Sequence, residues 1–286
     1  MKPKLNILDV SSAIGCNLSC KGCNHFSNYF APGSKLDTDK LLYDIKTILP
    51  RVDINRVSVI GGEPLLNPRC EEIFTTCLEH ASNDVYLYTN GELLEYNDWI
   101  YKYLDHPKVY LRFSFHLPET TERGAKIVKT VRDFVAKTDH ELFIGPAPNQ
   151  TWKIRATEHH TNKDRWFYSI KKRGDKVYPY NHEKPDRSFK YCSCPNSQLY
   201  NGKLWKCPNT AFLREMLDVT GQRDDPEWQE YYVDGVSVDC ADDELTKFCE
   251  GSILPDSVCR MCTAKPLHFS AAQQEKTERK VINTYK

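Results

Sequence analysis

The stretch Leu5-Asn-Ile-Leu-Asp-Val-Ser-Ser-Ala-Ile-Gly-Cys16-Asn-Leu-Ser-Cys20-Lys-Gly-Cys23 joins a short apolar run to three closely spaced cysteines. Leu5 to Ser11 reads as a β-strand, and the cysteines fall in the loop that leaves its carboxyl end. The same arrangement recurs downstream. Val57-Ser-Val-Ile-Gly-Gly-Glu-Pro64 is a buried strand running into a glycine turn, Val85 to Thr89 is a strand that stops at Asn90-Gly91, and Val109 to Phe115 is a strand that ends beside His116. Glu141 to Ile144 and Trp152 to Ala156 supply a fifth and a sixth.

Between these strands the apolar residues change to helical spacing. Leu41, Leu42, Ile45, Ile48 and Leu49 follow the capping residues Asp37 and Thr38, and Ile73 and Phe74 share a predicted helix, from near Pro68 to His80, with Cys70 and Cys77, read as small core residues. Repeated βα units predict an α/β fold with a parallel sheet, either doubly wound or a partial (β/α)6 TIM-like barrel. In both, chemical groups sit at the carboxyl ends of strands. The cysteine loop, Gly61 to Pro64, Asn90, Ser114 and His116 all fall there.

Three thiolates spaced three and two residues apart can wrap one face of a cubane iron–sulfur cluster. They leave its fourth iron without a protein ligand. A zinc site would want a fourth protein ligand, and only His25 stands near. The cysteine spacing together with Gly61-Gly-Glu-Pro64 resembles the signature of the radical S-adenosylmethionine superfamily, over roughly residues 5–156. The resemblance implies a [4Fe-4S] cluster on Cys16, Cys20 and Cys23 as the catalytic and metal-binding centre, with S-adenosylmethionine chelating the open iron. It also implies that Gly61, Gly62, Glu63 and Pro64 receive the methionine amino group, that Ser114 contacts the ribose or carboxylate, and that Asn90 is a further contact. Alternation on the fourth strand puts Tyr110, Arg112, Ser114 and His116 on the inner face and Val109, Leu111, Phe113 and Phe115 toward the helices. His116 reads equally as a cofactor- or substrate-facing group and as a surface histidine. One position departs from the family: the aromatic residue that often precedes the third cysteine is Gly22, so adenine is expected to rest on Phe26, Tyr29, Phe30 or Ile144.

Of the twelve cysteines, seven lie between Cys192 and Cys262. Asn201-Gly202 has hairpin-turn chemistry, so two short strands are expected from about Ser188 to Lys206. Cys192, the turn Asn201-Gly202, Cys207 and the pair Cys259 and Cys262 resemble the auxiliary-cluster extensions called SPASM and twitch domains, twitch being the better match. The resemblance implies a second [4Fe-4S] cluster held by Cys192 or Cys194 with Cys207, Cys259 and Cys262. Zinc on the same residues is the alternative, and Cys240 and Cys249 are expected to be unliganded. The expected organisation is therefore a barrel over 1–185 with a basic, aromatic insert near 157–191, a small cysteine-rich twitch-like α+β domain over 186–268, and a charged tail over 269–286.

Composition limits the alternatives. The chain has 286 residues, 40% hydrophobic and 27% charged, with zero formal net charge. That balance gives no general attraction to nucleic acid or anionic membrane. No apolar run approaches the roughly 18 residues of a membrane span, and no secretory signal is apparent, so a soluble cytoplasmic protein is expected. Cysteines in Cys-x-x-Cys spacing fit metal binding in a reducing compartment. Local charge is uneven, net +6 over 151–191 and net −10 over 215–250. The bland reading is two solvated surfaces; the sharper one is a basic lid over an anionic substrate. Glu158-His159-His160 reads as a solvated cluster on that basic loop. These features together predict an enzyme that cleaves S-adenosylmethionine and takes hydrogen from a small polar, sugar-, cyclitol- or nucleotide-like substrate. A flavodoxin or ferredoxin would be its electron donor. Peptide modification and a non-catalytic iron–sulfur or zinc protein are the alternatives.

Overall fold

Strand-forming runs that alternate with amphipathic helices must bury one sheet face under those helices. The computed structural model of the protein describes residues 1–34, 36–145, 152–159, 167–192 and 195–266. In it β1 (Lys4–Ala13), β2 (Asp53–Gly61), β3 (Asp84–Thr89) and β4 (Val109–Phe115) lie side by side in parallel and in chain order. Successive strands each step the same way, and right-handed crossovers then place the connecting helices on one face. This decides for the partial barrel over the doubly wound sheet. Helices α1 (Thr38–Ile48) and α2 (Cys70–His80) pack on each other, and α3 (Glu122–Val135) follows β4. Asp37 caps α1 by accepting from the Lys40 amide at 3.0 Å.

The core lies between these helices and the outward residues of the strands. Leu8, Val10, Val57, Val59, Val85, Leu87, Leu111 and Phe113 meet Leu41, Ile45, Ile73, Phe74, Ile127 and Val131 there. Cys70 and Cys77 are part of this core, as expected, and so are Cys240 and Cys249. Burial of each large side chain contributes about 1.5–3 kcal/mol.

The inner face is polar. Arg112 is buried with its guanidinium 4.5 Å from the Tyr86 ring and 5.2 Å from Tyr110, and it donates to the carbonyls of Leu111, Trp152 and Lys153. The last two strands are transposed: β6 (Ile154–Glu158) pairs with β4, and β5 (Leu142–Ile144) is the outer edge. Both were legible as strands. Their order was not, because either could have added to β4.

The cysteine-rich part does not form a separate sheet. The predicted hairpin is β9 (Ser197–Tyr200) and β10 (Lys203–Trp205), turned by Asn201 and Gly202 in left-handed backbone (φ 49° and 77°). Strand β9 pairs in parallel with β1, and the two-residue β11 (Val236–Ser237) pairs with β10, so one nine-stranded, mostly parallel sheet runs through the chain. Asp44 of α1 holds the turn by accepting from the Gly202 amide at 2.8 Å. Ser188, expected at the start of the hairpin, lies instead in α4 (Pro185–Lys190).

Within the basic insert, Lys172 to Asp175 lies in a small antiparallel ribbon of β7 (Lys171–Arg173) and β8 (Lys176–Tyr178). Its turn residue Gly174 has φ 60°, and Val177 is fixed by reciprocal bonds with Gln222. A second core joins this ribbon to α5 (Pro208–Val219). Phe26 and Phe30 of the cysteine loop are buried in it with Val177, Phe212, Met216, Trp228 and Tyr231. The last helix, α6 (Asp242–Ser252), precedes a short 3-10 turn, Ser257–Met261, that carries Cys259. Among the described residues no helix is long and apolar enough to cross a membrane. The expected tail, 269–286, lies outside them, as does Cys194.

Candidate active site

The glycine turn after β2 touches the cysteine loop directly. Gly62 donates to the Ala13 carbonyl at 2.7 Å and Glu63 to the Gly15 carbonyl at 3.0 Å. Neither Gly61 nor Gly62 could carry a side chain: a Cβ would overlap the Ala13 carbonyl oxygen in the first case and that of Gly15 in the second. Gly61 also has φ 148°. These glycines therefore serve close backbone approach, and with it the position of Cys16.

The Glu63 carboxylate points into the protein. It accepts from the Leu65 amide (3.2 Å), the Thr89 hydroxyl (2.6 Å) and the Asn90 amide (2.8 Å), which ties the end of β2 to the end of β3. Burial pushes its carboxyl up to about 7, although these three donors pull the other way. Pro64 opens the short 3-10 turn that follows. In metal-free protein the folded state then binds more protons than the unfolded one between about pH 4.5 and 7. Stability should fall as pH rises through that window, and Glu63→Gln should flatten the dependence. Thermal unfolding between pH 5 and 8 reads both.

Cys16 and Cys20 are buried, Cys23 is partly so, and each lies within electrostatic reach of the other two. Burial raises all three thiols, most strongly Cys16 and Cys20, and the neighbouring thiols add to it for Cys16 and Cys20. Such a set ionises only against a bound cation, which is what metal ligation supplies. Among the described residues no three Cys, His, Asp or Glu side chains close on a single ion position. The cysteines of a cubane each hold a different iron, so this spread is compatible with a cluster.

The loop is braced by residues that carry no motif. Asn17 accepts from the Asn90 side chain at 2.7 Å and donates to Glu92, while Glu92 takes both Nε and Nη2 of Arg123 at 2.7 Å. Arg123 also donates to the Asn17 carbonyl at 3.0 Å, and its charge favours the Cys20 thiolate. The Asn90 side chain, expected on the cofactor, is thus engaged at both ends: its Oδ1 accepts from the Glu92 amide at 3.0 Å. Sequence reading missed Asn17, Glu92 and Arg123, since the network joins three segments far apart in the chain. The position of Asn17 between two cysteines was the only available signal.

Ser114 sits near the carboxyl end of β4, in register with Thr157 of β6. Beyond it the His116 ring stacks on His159, centroids 4.9 Å apart, and the His159 amide donates to the Phe115 carbonyl. Glu158 and His159 therefore stand at the strand ends that carry the site, not on a detached basic loop; His160 lies outside the described residues. The aromatic candidates divide. Phe26 and Phe30 are core residues, whereas Tyr29 is partly buried with Lys172 Nζ of the β7–β8 ribbon 5.3 Å above its ring. Ile144 is in register with Ala156 and hence with Phe113, on the helix side of the sheet and away from Ser114. Its register, and not the strand order, removes it from the inner face.

The downstream cysteines converge as well. Cys192, Cys207, Cys259 and Cys262 lie within electrostatic reach of one another, and burial pushes Cys207 up to about 12 and Cys259 to about 11. Cys207 is the N-cap of α5, where the helix dipole favours a thiolate.

Known proteins resemble parts of this chain. The 7-carboxy-7-deazaguanine synthase of Methanothermobacter thermautotrophicus is 30% identical over 110 residues, 38% of this chain and 43% of the relative. A probable GTP 3′,8-cyclase of Methanococcus maripaludis is 31% identical over 80 residues, 28% of this chain and 26% of the relative. The chain thus spans less than half the length of these curated relatives. Among solved structures, native anSMEcpe with bound AdoMet aligns at a TM-score of 0.38 and 18% identity, over 66% of this chain and 58% of that one. Residues 10–141, running from β1 to the approach to β5, match the model of the Radical SAM superfamily.

Proposed function

We propose that the chain cleaves S-adenosylmethionine reductively and abstracts hydrogen from a small polar, nucleotide-like substrate, with a second cluster on Cys192, Cys207, Cys259 and Cys262 assisting oxidation. The observation that carries the reading is the convergence of three mutually close thiols with the glycine turn of β2 at one end of the sheet. A four-iron cluster with S-adenosylmethionine bound to it would supply the chemistry, reductive cleavage of the cofactor coupled to removal of a substrate hydrogen. The chain's own part is to hold, orient and shield. Cys16, Cys20 and Cys23 would anchor the cluster. Gly61 and Gly62 keep its loop against β2, and Ser114, beside His116 and His159, presents polar groups at the mouth of β4 and β6.

Substrate class is argued from charge and from the relatives' names. Lys172 sets a cation beside the cysteine loop, which favours an anionic substrate. The two curated relatives are named for 7-carboxy-7-deazaguanine and for GTP, which favours the nucleotide-like arm. The four downstream cysteines favour a second cluster, and a flavodoxin or ferredoxin suits the electron supply.

Anaerobic reconstitution with iron counting and product analysis tests the proposal. About eight irons per chain are expected, with 5′-deoxyadenosine formed in the presence of reductant and increased by guanine nucleotides or related small polar molecules. Product increased only by peptides would replace the substrate reading with peptide modification. No cleavage by iron-loaded protein would remove the enzymatic one.

A further inference from the structure

Cys262 is held at both its carbonyl and its sulfur. Its carbonyl accepts from the Ser188 hydroxyl at 2.9 Å and stands 2.8 Å from Nε2 of His182. Its sulfur is met by Asn209, whose Nδ2 stands 3.2 Å away. Asn209 is fully buried in the first turn of α5, two residues after Cys207, so one helix start supplies both a cysteine and an amide facing a second cysteine. A thiolate accepts hydrogen bonds and donates none, so the amide nitrogen must face it.

We propose that Asn209 is a positioning residue for the second cluster, and that its N–H···S bond to Cys262 raises the cluster's reduction potential. Hydrogen bonds to cysteine sulfur withdraw charge from the cluster and favour its more reduced state, and the positive end of the α5 dipole acts in the same sense. The inference rests on the second-cluster reading above. Burial of Asn209 favours the effect, because little water competes for its amide.

The test is potentiometric titration of reconstituted full-length protein followed by electron paramagnetic resonance, comparing Asn209→Leu, which keeps the volume, with Asn209→Ser, which keeps polarity but is too short to reach. Both variants should keep about eight irons. Both should move the second cluster's midpoint to more negative potential while the signal and potential of the Cys16, Cys20, Cys23 cluster stay in place. An unchanged midpoint in iron-replete variants overturns the role of Asn209 and leaves the second cluster standing. Loss of the second cluster's iron in both variants also overturns it, since Asn209 is then a structural support. Wild-type protein with about four irons, unaffected by Cys207→Ala, instead refutes the underlying cluster reading.

Discussion

Cys20→Ala should reduce 5′-deoxyadenosine formation to background and lower bound iron from about eight to about four per chain. Cys20 is buried, and among the described residues no histidine, aspartate or glutamate closes with Cys16 and Cys23 on a common point to take its place. Loss of one of three ligands opens a second iron and exposes the cluster to solvent and oxidation. Stability should change little by comparison, since the thiol is small and the metal-free site gains nothing from it; about 1 kcal/mol is expected from the lost volume. Iron quantification and single-turnover product analysis read the two effects separately. Retention of both iron and cleavage would show that the three cysteines are not the catalytic set.

Gly62→Ala should be nearly as damaging by a different route. Its new methyl would meet the Gly15 carbonyl oxygen, with the Ile14 carbonyl only 3.0 Å off on the same side. Both obstacles are backbone, so no rotamer change relieves the overlap, and the end of β2 must move away from the cysteine loop. That movement breaks the bonds from Gly62 to Ala13 and from Glu63 to Gly15. A loss of at least about 3 kcal/mol follows from overpacking together with two broken buried hydrogen bonds. Thermal unfolding should show it, and iron analysis should show the first cluster depleted with the second intact. An unchanged melting temperature would mean that the turn is slack and that the glycine serves only the cofactor.

Much of this was legible before any coordinates. Leu41, Leu42, Ile45 and Ile48 marked the buried face of α1 by spacing alone, and Asp37 marked its start. Asn201-Gly202 announced a hairpin because the left-handed backbone at both positions suits few other pairs. The two cysteine sets could be read because their chemistry demands a residue type at a local spacing. What was not legible depends on which strand lies beside which. Ile144 had the right composition for an inner contact but its register puts it on the helix side of the sheet, and Ser188 moved from strand to helix. Asn90 was singled out at the end of β3 as a cofactor contact; its side chain holds Asn17, a partner 73 positions away.

By itself the sequence determined the repeating βα units, the places where strands end, and the clusters of cysteines whose spacing suits metal ligation, because these follow from periodicity and from donor chemistry within a few residues. Only the tertiary structure decided that β6 inserts before β5, that β9 joins the cysteine-rich part to β1 in one sheet, and that Arg123 and Glu92 brace the loop of Cys16, Cys20 and Cys23. Those outcomes are set by the packing of surfaces from distant segments and by the requirement that buried charges and amides find partners, neither of which leaves a local trace in the chain.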